Sequence, residues 1–241
     1  MSESYYVGAY WACRPESAQQ CARRAETFFR LLSACHPDYA HWYEKSNSVK
    51  HALQLPFEPT FDTFVRFFGR KKYQLDEDGF IFGAWTGHVP VNQEGGMVTL
   101  VCGSPAEVAP NNVLLYFPME GTGLERLLTL PVLTGVLRAM ALAWEPDWAV
   151  AVSDDFRDRL PLQGNTGTFV GWLTYFSRQR GEVPALPEPV RIEPVEDKGT
   201  LVILGPEPLS TANPEHVALG LHVQQALQER GLLRRIIERR T

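Results

Sequence analysis

Tyr5-Tyr6-Val7-Gly8-Ala9-Tyr10-Trp11 is the run on which the fold turns. Its aromatic character and its bounding polar residues mark it as a strand. Working outward, Pro15 follows at a position suited to a helical first turn. From Glu16 to Cys35 apolar residues then recur at helical spacing. Cys21, Ala25, Phe28, Leu32 and Cys35 share one face, while Arg23, Arg24, Glu26 and Arg30 point outward. His36-Pro37 ends this helix, with His36 expected as a cation at its C-terminus. Asp38 to Lys45 suggests one more helical turn, and the chain then reads as irregular up to Thr60. Thr60 is a suitable cap for a short helix carrying Phe61, Phe64, Val65 and Phe68.

Asp78-Gly79 is a hairpin signal between Tyr73/Leu75 and Phe80/Phe82. Met97 to Cys102 and Val113 to Phe117 read as strands, joined by a loop holding Gly103, Pro105 and Pro110. Leu127 to Trp144 is a second long helix with Pro131 in its first turn. Strands are expected at Trp148 to Val152, Phe169 to Phe176 and Leu201 to Leu204. Arg178 to Lys198, rich in proline and acids, reads as a long surface connection. Asn213-Pro214 starts a third long helix, His216 to Arg230, which Gly231 ends. The order lacks the strict strand–helix alternation of a parallel fold. It predicts α+β, a mainly antiparallel sheet packed with about three long helices. The whole chain, 1–241, is expected to form one such domain, and 178–198 is where any sub-division would fall.

A hydrophobic fraction of 44% in 241 residues supplies a sizeable core and excludes a disordered chain. Met1-Ser2-Glu3-Ser4-Tyr5 lacks the basic start and apolar stretch of a signal peptide. No apolar run is long enough for a bilayer. A cytoplasmic location with no membrane partner is therefore expected. Cys13, Cys21, Cys35 and Cys102 form no CxxC pair, and reduced thiols are expected. Net charge is −5, unevenly spread: residues 1–229 hold 18 basic and 27 acidic residues, a net −9, and five arginines fall in the last 12. An acidic body repels nucleic acid and attracts basic partners. Arg234, Arg235, Arg239 and Arg240 are expected to be a solvated helix end.

Catalytic signatures are missing: there is no GxSxG elbow, HExxH or Walker A loop. Gly121-Thr122-Gly123 reads as a turn, since a dinucleotide fingerprint needs a third glycine and a strand–turn–helix context. His36, His41 and Cys35 match no closed zinc pattern, so neither metal nor cofactor is expected. Carboxylates cluster at Asp76-Glu77-Asp78, at Asp154-Asp155 with Asp158, and at Glu193-Glu196-Asp197. The first two sets are the candidate contact surface for a basic partner; such charge selects partners and speeds encounter. Two other readings stay open. One is a metal-dependent hydrolase using Asp154, Asp155 and His88. The other is a secretion-system adaptor.

Several stretches together resemble the immunity protein 52 family of polymorphic toxin systems. They are Tyr6-Val7-Gly8-Ala9-Tyr10-Trp11 with Arg14-Pro15-Glu16-Ser17, Pro110-Asn111-Asn112-Val113 and Trp144-Glu145-Pro146-Asp147-Trp148-Ala149. Val170-Gly171-Trp172-Leu173-Thr174-Tyr175 and Asn213-Pro214-Glu215-His216 complete the set. They occur in the family's order over nearly the whole chain. The resemblance implies a non-enzymatic protein whose partner is a cognate toxin, a nuclease of the restriction-endonuclease fold, some of these being type VI secretion effectors. It carries over no catalytic residue and no binding motif. Trp11, Trp148, Trp172 and Tyr175 are expected in the core, because alternation puts one face of each strand inward.

Overall fold

The computed structural model describes residues 3–75, 79–87, 95–160 and 167–237. Strand β1 is Tyr5–Trp11, as its aromatic run predicts. Helix α1 is Ala18–Cys35. Ser17 caps it, and Gln20 reaches back to the Ser17 N–H in a capping box. Pro15 therefore lies ahead of the cap rather than in the first turn. His36 stands at the C-cap of α1, and its Nδ1 also accepts from the Asp38 N–H, capping the following turn Pro37–Tyr39.

The segment up to Thr60 is not irregular. It holds β2 (Trp42–Glu44), α2 (Val49–Ala52) and β3 (Pro56–Phe57). Thr60 caps α3 (Phe61–Phe68) as expected. Tyr73 falls in a 3₁₀ turn, and Gln74 makes a single bridge to Phe80, so residues 73–75 form no strand. Next come β4 (Phe80–Trp85), β5 (Met97–Cys102), β6 (Asn111–Tyr116) and the short α4 (Thr122–Leu127). Helix α5 (Leu130–Trp144) begins three residues later than its pattern suggests, with Pro131 in its first turn. Then follow β7 (Trp148–Ser153), α6 (Asp154–Arg159) and β8 (Leu173–Ser177). The expected surface connection contains a strand, β9 (Arg191–Val195), which pairs with β10 (Gly199–Ile203). Helix α7 (Pro214–Glu229) completes the described elements, capped by the Asn213 side chain.

All ten described strands form one sheet in the order β3-β2-β4-β5-β6-β1-β7-β8-β10-β9, and every neighbouring pair is antiparallel. The sheet is larger than the sequence pattern suggests. The described helices number seven, of which the three long ones, α1, α5 and α7, have 18, 15 and 16 residues. β1 lies between β6 and β7, so the first strand of the chain is central. That position explains its apolar character on both faces.

The two faces of the sheet differ. On one, Val7, Ala9 and Trp11 pack beneath α1 and α5; Trp11 stacks on Trp144 at 5.5 Å, and Phe28 meets Trp144 edge-on. Under α1 and α3, Phe29, Trp42, Phe57, Phe64, Phe67 and Phe82 form a cluster of mostly edge-to-face rings. Such pairs each add about 0.5–1.5 kcal/mol beyond the area they bury. The opposite face carries Tyr6, Gly8 and Tyr10. Trp11, Trp148, Trp172 and Tyr175 are buried, as expected.

Candidate functional site

Cleft residues come from the ends of four neighbouring strands. Trp11 closes β1, Asp147 precedes β7, Tyr175 and Ser177 end β8, and Lys198 precedes β10. Together with Arg14 and Arg178 these residues line a cleft of about 730 Å³. The C-terminus of α5 points at it. Helix C-termini leave carbonyls without partners and carry partial negative charge. Here two arginines answer that charge. The Arg14 guanidinium donates to the Trp144 carbonyl at 2.8 Å, and Arg24 donates to the Ala143 carbonyl at 3.0 Å.

Both arginines are held in turn by Glu16, which accepts from Arg24 at 2.6 Å and Arg14 at 3.1 Å. Glu145 adopts a left-handed backbone (φ 47°) that ends α5, and it accepts from Arg24 and from Lys198 at 2.7 Å. The Lys198 hydrogen bond is the main reason its carboxyl is held below the usual range; burial opposes this, and Arg24 reinforces it. Asp147 accepts from the Ala12 N–H at 2.9 Å. Asn111 bridges the same corner, donating to the Ala12 and Ser104 carbonyls and accepting from the Ser104 N–H. The Tyr175 hydroxyl donates to the Lys198 carbonyl.

This corner therefore braces the fold. Its carboxylates are committed to fixing loop backbones and a helix end. Among the described residues, no group of three histidines, cysteines, aspartates or glutamates is placed to hold a metal ion. Four of the five stretches that carry the resemblance meet here or border it, through Trp11, Arg14, Glu16, Asn111, Glu145, Asp147 and Tyr175. The fifth, Asn213-Pro214-Glu215-His216, starts α7, where His216 accepts from the Ser210 N–H.

The expected contact residues divide. Asp76, Glu77 and Asp78 lie outside the described residues, as does His88. Asp154, Asp155 and Asp158 form one cluster on α6, whose first N–H groups are capped by Ser153. Arg157 bonds both Asp154 and Asp158 at 2.8 Å, whereas Asp155 is exposed. Asp154 is thus an ion-pair partner on a short surface helix. The cluster borders the second face of the sheet: the Arg157 guanidinium lies over the Tyr6 ring, and the charge of Asp154 is felt at the Tyr6 and Tyr116 hydroxyls. Glu193, from the third acidic set, is bound to Arg138 of α5.

Sequence reasoning missed a second ion-pair knot. Buried Glu44 accepts from Arg70 through both oxygens (3.0 and 3.1 Å), from Lys72 at 2.9 Å and from the Tyr73 hydroxyl at 2.5 Å. Burial pushes the Glu44 carboxyl up, but bonds from Tyr73, Lys72 and Arg70 together outweigh it and hold the group below its usual range. Nor is the described part of the basic tail a solvated helix end. Arg234 donates to the Gln179 and Arg180 carbonyls, and buried Arg180 donates back to the Leu232 and Arg234 carbonyls. Burial pushes the Arg180 guanidinium down to about 10.

The family model for immunity protein 52 matches residues 3–236. The chain belongs to the immunity protein 52 family. No curated protein matches it. Among solved structures it is similar to a Pseudomonas aeruginosa T6SS protein, with a TM-score of 0.55 and 12% identity over 92% of this chain and 76% of that one. At that identity the likeness is one of fold. None of the described helices is long and apolar enough to cross a membrane.

Proposed function

We propose that this immunity-family chain acts as a single domain in the cytoplasm, where it binds a cognate toxin and neutralises it without catalysis. The toxin would be a nuclease of the restriction-endonuclease type delivered by type VI secretion. The observation that carries this reading is the family match from residue 3 to residue 236. The fold shared with a Pseudomonas T6SS protein supports the secretion link. Charge supports the nuclease: a nuclease presents basic surface to hold phosphates, and a body of net −9 over residues 1–229 complements it.

The test is co-expression with the product of the neighbouring toxin gene. Cells carrying both genes should survive, and the two proteins should co-purify from them. A toxin that kills such cells despite abundant folded chain would sink the proposal, whereas binding without protection would mark an adaptor.

A further inference from the structure

On the face away from α1 and α3, the described residues of β4, β5 and β6 have the wrong composition for a surface facing only water. In an antiparallel sheet with one solvated face, outward positions are normally polar. Here Tyr43, Trp85, Met97, Tyr116 and Tyr6 are successive cross-strand partners on β2, β4, β5, β6 and β1. They form one line across five strands, about 19 Å long at about 4.8 Å per strand. Tyr43 pairs with Trp85 at 6.2 Å, and Tyr6 with Tyr116 at 6.5 Å, so an aromatic pair stands on each side of Met97. Their inward-facing neighbours Phe82, Ala84, Val98, Leu100, Val113 and Leu115 are fully buried, while this line keeps solvent contact except at Tyr6. Two residues along, Thr99 and Leu114 face the same way. A contiguous apolar surface of this kind marks an interaction site, and interface hot spots favour rigid aromatic anchors.

One end of the line is acidic. The charge of Asp154 on α6 is felt at the Tyr6 and Tyr116 hydroxyls, and Arg157, which bonds both Asp154 and Asp158, lies over the Tyr6 ring. Against the three aspartates of α6 the same helix supplies Arg157 and Arg159, an excess of one acid. We infer that the outward row Tyr43–Trp85–Met97–Tyr116–Tyr6 is the surface on which the toxin docks. Its occupant is a protein that sets an apolar protrusion on the aromatic row and lysine or arginine against the α6 end. A second copy of this chain would bring the same excess of acid, so a basic partner is the complementary one. The inference rests on the immunity reading and adds the place of contact to it.

The probe is a catalytically inactive form of the neighbouring toxin, titrated calorimetrically against the whole chain and its variants. Thr99→Arg and Leu114→Arg put charge at half-exposed outward positions. Each should weaken binding by at least about 30-fold, the size expected at a hot spot, with an unchanged thermal melt and with loss of protection in cells. Asp155→Lys should slow association several-fold. Leu221→Arg, on the exposed side of α7, is the control and should bind as the wild type does. If the wild-type chain binds no toxin, the immunity reading falls and takes this surface with it. If the wild type binds and both arginine variants bind equally well, only the surface is overturned. A wild-type dimer that these variants split, with toxin binding intact, would overturn it as well.

Discussion

Glu44 shows how much one side chain can organise. It sits at the end of β2 with Arg70, Lys72 and Tyr73 converging on it from beyond α3. Removing its charge while keeping its shape leaves three donors poorly answered. Glu44→Gln should lower unfolding free energy at pH 7 by about 1–3 kcal/mol, the range for hydrogen bonds to a charged group, discounted because Arg70 and Lys72 remain partly in water. The pH dependence follows from the direction of the shift. A carboxyl held below its unfolded value of 4.5 contributes stability that is present above that value and lost as pH falls through the folded one. The gap between wild type and Glu44→Gln should therefore narrow below about pH 4.5 in denaturant titrations. A constant gap down to pH 3 would show that the charge contributes nothing.

Two glycines make a paired prediction at the same scale. A Cβ on Gly171 would lie 2.5 Å from the Ala151 carbonyl oxygen, backbone that has no room to yield. Gly171→Ala should cost about 1–3 kcal/mol through overpacking. Gly231 has open space around it but a φ of +69°, so Gly231→Ala should cost only the left-handed penalty of about 1–2 kcal/mol. Thermal melts of the two variants check the order. The Gly171 cost is not readable from the sequence, whereas Gly231 is legible there as the glycine that ends α7.

Elements with their own caps and a long period were legible. Ser17 with Gln20, Thr60 and Asn213 each announce a helix, and β1, β5, β6 and β7 are dense in strand formers. The strands that went unread are β2, β3 and β9, and their reasons are physical. β2 and β3 have three and two residues, too few for any alternation to register. β9 reads Arg-Ile-Glu-Pro-Val, and its exposed, charged pattern belongs to an edge rather than a core. The strand expected from Phe169 begins only at Leu173, because the chain at Gly171 runs hard against Val150 and Ala151 before it can pair. The cleft corner could not be read at all. Glu16 and Arg24 sit near the start of α1, but Glu145 and Lys198 are far from them in sequence, and only the central placement of β1 brings the three places together. The outward aromatic row left a trace that the reading passed over: in Met97-Val98-Thr99-Leu100-Val101-Cys102 both alternating sets are largely apolar, the mark of a strand with something to bury on each side.

At the scale of the whole molecule, charge governs encounter more than it governs affinity. If the toxin is basic, the association rate should fall as salt rises from about 50 to 200 mM while dissociation changes little, because long-range steering is screened beyond roughly 10 Å. Stopped-flow mixing with the inactive toxin measures both. An association rate insensitive to salt would remove charge complementarity from the account and leave the aromatic row to stand alone.

The two rims of the ten-stranded sheet are β3 and β9, and each carries a proline, Pro56 and Pro194. A proline offers no N–H to a strand arriving from outside. Neither rim is thus an open template, and a partner cannot easily extend the sheet by main-chain pairing. Recognition has to pass through side chains, whose identity can change without disturbing a single rung of the ladder. A protein matched to one opponent can follow changes in that opponent by repainting a face, while its scaffold stays as it is.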